Sequence, residues 1–194
     1  MSHRKPVNDS PNFDFIDYFE GHRRASGWFA DRFGNVKRHF SGDFFGTVKD
    51  DGILQLDETL IYNDGMLETR QWLVNVSDEG VLHAESESLV GPAVGQIHGN
   101  ALRMRYLLMV QINAKTTWKL SMKDAMFLQP DGNLHNITQV MKFGFRIGTV
   151  STQYFRPDDA SSGKLANSRR TIDASAPPQE SDAVAAKFSI AVNS

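Results

Sequence analysis

The sequence contains no cysteine, which excludes a disulfide framework, a thiol nucleophile, a thiolate zinc site and lipid attachment through cysteine. No apolar run is long enough to cross a bilayer as a helix. The opening residues, MSHRKPVNDSPNF, carry some positive charge with no apolar segment behind it. They do not read as a secretory signal, so the chain as written reads as cytoplasmic. Charge of one sign is lacking too. With 21 Lys and Arg against 23 Asp and Glu, the formal net charge of −2 gives no general footprint for nucleic acid or an anionic membrane. There is no P-loop, no dinucleotide fingerprint and no G-x-S-x-G. The six histidines have neither i,i+4 nor zinc-finger spacing, so no metal and no cofactor is expected.

What is present is alternation. Residues 53–76, ILQLDETLIYNDGMLETRQWLVNV, alternate apolar and polar residues on both sides of Asn63-Asp64-Gly65, the pattern of a half-buried β-hairpin. A three-residue loop with Gly65 in the left-handed position pairs Tyr62 with Met66. Leu60 then faces Glu68, Glu58 faces Arg70, Leu56 faces Trp72 and Leu54 faces Val74. An acid and a base thus meet in the middle of an apolar face.

Asp50-Asp51-Gly52, Asp78-Glu79-Gly80 and Pro130-Asp131-Gly132 have the same form, and Asn113-Ala114-Lys115 has the same length. Reading all five loops alike sets Phe44 against Glu58, Tyr106 against Met122, Asp124 against Thr138 and Met126 against Asn136. It also sets Trp72 and Arg70 against Ser86 and Ser88. Strands are predicted near 24–31, 36–48, 53–62, 67–76, 81–90, 93–98, 101–112, 116–127, 133–141 and 146–155. With no long helical periodicity between them, the fold is an all-β, up-and-down antiparallel barrel of about ten strands. A short helical turn over 13–19 places aromatics on one barrel end. Residues 1–12 read as a disordered lead, 13–156 as the barrel domain, and 157–194 as a disordered tail too poor in apolar residues to pay for order.

The run Asp31-Arg32-Phe33-Gly34, Leu56-Asp57-Glu58, Asp64-Gly65, Arg70 and Trp72, then Gly91-x-Ala93-x-Gly95, Gly99-Asn100-Ala101, Tyr106, Asp124-x-Met126, Asn136 and Lys142-Phe143-Gly144, resembles a bacterial family of unknown function. Many of its members are predicted envelope lipoproteins. The resemblance implies a lipocalin-like (calycin) barrel, a periplasmic or outer-membrane setting for typical members, and a loose link to fatty-acid metabolism. It brings no established activity. The chain departs from the family in lacking the lipoprotein signal with its cysteine, in Ala125 where a tryptophan is expected, and in Ser88 where an acid is expected.

The register assigns Arg38, Glu58, Arg70, Asp124, Asn136 and Thr138 to the inner face, where buried charges must be paired. The bland reading is a salt-bridged network that sets register. The functional reading is that Arg70, opposite Glu58 and near Ser88, holds a ligand carboxylate among Trp72, Tyr106, Trp118, Asp124 and Asn136. Small inward residues, Ala84, Ser86, Ser88, Ala93 and Gly95, either leave a cavity or let the sheet bend. Three functions follow: a carrier or sensor for a hydrophobic or fatty-acyl ligand, an enzyme using Glu58, Arg70, Asp124 and Tyr106, or a filled-barrel interaction scaffold. Oligomeric state is not legible.

Overall fold

The computed structural model describes residues 11–113 and 115–157. The lead and tail expected at 1–12 and 157–194 lie outside these but for residues 11, 12 and 157. One helix, α1 (Phe15–Phe19), leads into β1 (Gly21–Asp31), β2 (Val36–Val48), β3 (Leu54–Tyr62), β4 (Leu67–Val76) and β5 (Val81–Glu85). Then follow β6 (Ala93–His98), β7 (Ala101–Asn113), β8 (Thr116–Leu128), β9 (Leu134–Lys142) and β10 (Phe145–Phe155). Neighbours in sequence are neighbours in space, all antiparallel, and β1 closes on β10 to complete a barrel. Among the described residues, no helix is long and apolar enough to cross a membrane.

The turns explain the register. Gly52, Gly65, Gly80 and Gly132 have φ between 76° and 85°, where only glycine escapes a steric penalty. Each lets the strand before the loop bond the strand after it, as Tyr62 N–H does to the Met66 carbonyl at 2.9 Å. From that turn follow Leu60 opposite Glu68, Glu58 opposite Arg70, Leu56 opposite Trp72 and Leu54 opposite Val74. Phe44 opposite Glu58, Tyr106 opposite Met122 and Asp124 opposite Thr138 follow in the same way. The loop expected at 113–115 contains Ala114, which lies outside the described residues; beside it the β7–β8 register shifts between Gln111 and Asn113.

One strand is shorter than expected. β5 ends at Glu85, not at residue 90. Ser86, Glu87 and Ser88 fold into a turn closed by Leu89 N–H to the Ser86 carbonyl at 3.0 Å. Leu89 then bridges to Leu108 of β7. Ser86 and Ser88 therefore do not sit across a ladder from Trp72 and Arg70. The first strand starts earlier than expected, at Gly21 and not near residue 24, so His22 belongs to β1 and contacts Asp43 at 2.8 Å.

The helix plugs one end. Asp14 caps it, its carboxylate accepting from Asp17 N–H at 3.0 Å. Phe15, Tyr18 and Phe19 bury themselves with Phe44, Leu54, Val74, Leu82, Leu102, Leu134 and Tyr154. Phe19, 2% exposed, contributes about 1.5–3 kcal/mol by burial alone. Its backbone comes so close to β2 that a β-carbon at Gly46 would lie 1.9 Å from the Phe19 carbonyl oxygen. A second cluster of Phe29, Leu108, Val110, Leu120, Met122 and Val140 lies toward the other end, which the hairpin tips at 32–35, 63–65 and 143–144 surround.

Candidate functional site

A belt of polar side chains crosses the lumen at mid-height. On β3 and β4 the alternation that buries Leu54, Leu56, Trp72 and Val74 carries Glu58, Glu68 and Arg70 inward as well. The Arg70 Nη1 lies 3.5 Å from both Glu58 oxygens, and its Nη2 donates to Glu68 Oε1 at 2.5 Å. Trp72 Nε1–H donates to Glu58 Oε2 at 2.8 Å, and the Tyr62 hydroxyl donates to Glu68 Oε2 at 2.9 Å. Burial works against the guanidinium, but Glu58 and Glu68 outweigh it and raise its pKa. Burial, then the charge of Glu68, pushes the Tyr62 phenol up.

The facing wall, from β7, β8 and β9, carries Tyr106, Asp124, Asn136 and Thr138. The Tyr106 hydroxyl donates to Asp124 Oδ2 at 3.3 Å, and Asn136 Nδ2 donates to Thr138 Oγ1 at 3.3 Å. The Trp72 and Tyr106 rings meet edge to face at 5.7 Å and join the two walls. Burial drives the Asp124 pKa up from 3.8 to about 6, against the pull of Thr138, Asn136 and Tyr106 around it. Asp124 and Asn136 are 6% and 4% exposed, and among the described residues neither Asp124 Oδ1 nor Asn136 Oδ1 has a hydrogen-bond partner. Two buried acceptors without donors are costly.

Both oxygens belong to residues that line a cavity of about 180 Å³, walled otherwise by side chains such as Phe44, Leu56, Met104 and Met126. Beside it, where β5 has ended, the stretch of β4 from Leu67 to Gln71 pairs with β3 alone. A cleft of about 870 Å³ occupies this gap between β4 and β7. Glu58, Glu68, Arg70, Leu108 and Val110 line both spaces, so the wall between lumen and exterior there is one layer of side chains.

Of the residues expected at the site, Glu58, Arg70, Trp72, Tyr106, Asp124 and Asn136 meet around the cavity. Ser88 and Trp118 do not line it. Ser88 sits in the turn beside the cleft. Trp118 is half-buried toward the far end, with Lys142 Nζ 2.8 Å from its ring centroid. The acid thought missing at position 88 is supplied from β4 by Glu68, which sequence reasoning passed over although it shares the parity of Arg70 and Trp72. Of the small residues, Ala84 lines the cavity, but Gly95 is crowded by Leu102, 2.8 Å from where its β-carbon would be. Arg38 lies at the rim, bonding both Asp64 oxygens at 2.7 and 2.6 Å. Among the described residues, no group of three His, Asp or Glu side chains could hold a metal ion.

Closed antiparallel strands, a helical plug and a charged belt around a small lumen define a β-barrel with an internal cavity. The chain belongs to the family described as Protein of unknown function (DUF3833), whose model matches residues 1–156. No curated protein matches it.

Proposed function

We propose that the barrel binds a small apolar alcohol or phenol in its lumen, the hydroxyl donating its one proton to Asp124. The observation that carries this reading is the pair of buried, donorless oxygens on the wall of a mostly apolar cavity whose charged groups Glu58, Glu68 and Arg70 are already paired with one another. A hydroxyl supplies one of the two missing donors, at the charged oxygen where its absence costs more, and apolar atoms fill the space. A carboxylate on Arg70 is the poorer ligand, because Glu58 and Glu68 already contact that guanidinium. Size limits the ligand further. A cavity of 150 Å³ takes up benzene, so 180 Å³ suits about six to eight non-hydrogen atoms, and a long acyl chain would have to run out into the cleft.

The test is a titration of straight-chain 1-alkanols and the matching alkanoates, followed by tryptophan fluorescence at about pH 8. Alkanols should tighten by about 0.8 kcal/mol per methylene and stop tightening near the cavity's capacity. Alkanoates of equal length should bind more weakly. Tighter binding of alkanoates, or no binding of either series because water fills the site, would contradict the proposal. Use of Asp124 as a general base is the second reading, favoured by its pKa near 6. Chemical conversion of a bound alcohol, seen by NMR of the recovered ligand, separates it from simple binding.

A further inference from the structure

Nothing inside the barrel accounts for its most exposed apolar side chains. Phe143, Phe145 and Phe33 are 88%, 76% and 72% exposed, and with Leu67 they are the most exposed large apolar residues described. All four lie at the end away from α1. Phe33 tips the β1–β2 turn, while Phe143 lies in the β9–β10 turn and Phe145 opens β10 just after it. Pairing of β1 with β10 makes these two tips neighbours.

Phe143 is also unfavourable in conformation. At φ 51° it is the one described non-glycine residue in the left-handed region, at a turn where asparagine or glycine is the easy choice. An aromatic held there, with its ring in water, gains nothing from its own fold. The charges around the tips are basic. Arg32 stacks on Phe33 at 4.6 Å, Arg146 is exposed beside Phe145, and Lys142, seated on the Trp118 ring, lies 5.3 Å from the Phe143 ring. Of the acids at this end, Asp31 is engaged by Lys37 at 3.2 Å and by Asn35, and Asp64 is engaged by Arg38. This cationic patch stands out on a chain whose net charge is −2.

We infer that the two tips dock on an anionic lipid bilayer, the three phenylalanines entering the interface and Arg32 and Arg146 meeting the headgroups. Rings projecting on separate turns suit a deformable surface better than a shaped protein one. Aromatics plus flanking cations are what such a surface rewards. The inference is independent of the lumenal ligand.

The full chain should co-sediment with vesicles rich in phosphatidylglycerol and far less with pure phosphatidylcholine, and added salt should weaken binding. The triple variant Phe33→Ser, Phe143→Ser, Phe145→Ser should lose about tenfold or more in vesicle affinity, and Arg32→Gln with Arg146→Gln should flatten the salt dependence. Unchanged thermal unfolding and unchanged alkanol titration in both variants would show that barrel and lumen are intact. Failure of the parent to bind these vesicles, or equal binding by the triple variant, would overturn the inference. So would a concentration-dependent dimer of the parent that the triple variant abolishes, since the patch would then join two copies.

Discussion

Replacing Asp124 by Asn isolates the charge at the centre of the barrel. Folding raises the Asp124 pKa from 3.8 to about 6, chiefly by burial. Between these values the folded state binds more protons than the unfolded one. Stability therefore falls as pH rises from about 4 to about 6, and the loss persists above that. A displacement of this size corresponds to about 3 kcal/mol at neutral pH. Asparagine keeps the shape, removes the charge, and offers an amide that can donate to Asn136 Oδ1. Asp124→Asn should therefore be more stable than the parent by about 3 kcal/mol near pH 8 and about equal to it below pH 4. In urea that is a midpoint increase of about 1–3 M at the higher pH, for the slopes typical of small domains. The same substitution should weaken alkanol binding about tenfold, because it removes the charged acceptor that the ligand hydroxyl would have bonded. A stability difference that does not vary with pH, or a variant less stable than the parent near pH 8, would refute this assignment.

Arg70→Ala leaves Glu58 and Glu68 without their cation and should cost about 3 kcal/mol, measured by denaturant unfolding near pH 7. Gly46→Ala would place a β-carbon on the Phe19 carbonyl, displacing the plug at a cost of about 1–3 kcal/mol, with near-ultraviolet dichroism reporting the loosened aromatics. Phe143→Asn should relieve the left-handed backbone, gaining about 1 kcal/mol and raising the thermal midpoint by about 2–4 °C.

The hairpin registers were legible because alternation and turn chemistry agree. Left-handed glycines at 52, 65, 80 and 132 fix where each strand starts, and parity then decides every inward residue up to the next turn. The end of β5 was not legible. Ser86, Glu87 and Ser88 continue the alternation acceptably, and only their turn back toward Leu108 stops the strand. That misreading put Ser88 opposite Arg70, and Glu68, of the right parity, went unused. Trp118 shows the other limit: parity says which face a residue takes, not how far along the barrel the cavity reaches. Nor could parity reveal that Asp124 Oδ1 and Asn136 Oδ1 lack donors, since that depends on distances between strands and side-chain rotamers.

The most direct measurement is carbon-13 NMR titration of the Asp124 carboxyl, with and without saturating 1-hexanol. Without ligand the carboxyl should titrate near pH 6. With hexanol bound, a hydroxyl donating to the carboxylate favours its charged form, so the pKa should fall toward the usual range. An Asp124 pKa that hexanol leaves unchanged, with fluorescence showing the ligand bound, would place the ligand elsewhere and contradict the lumenal site.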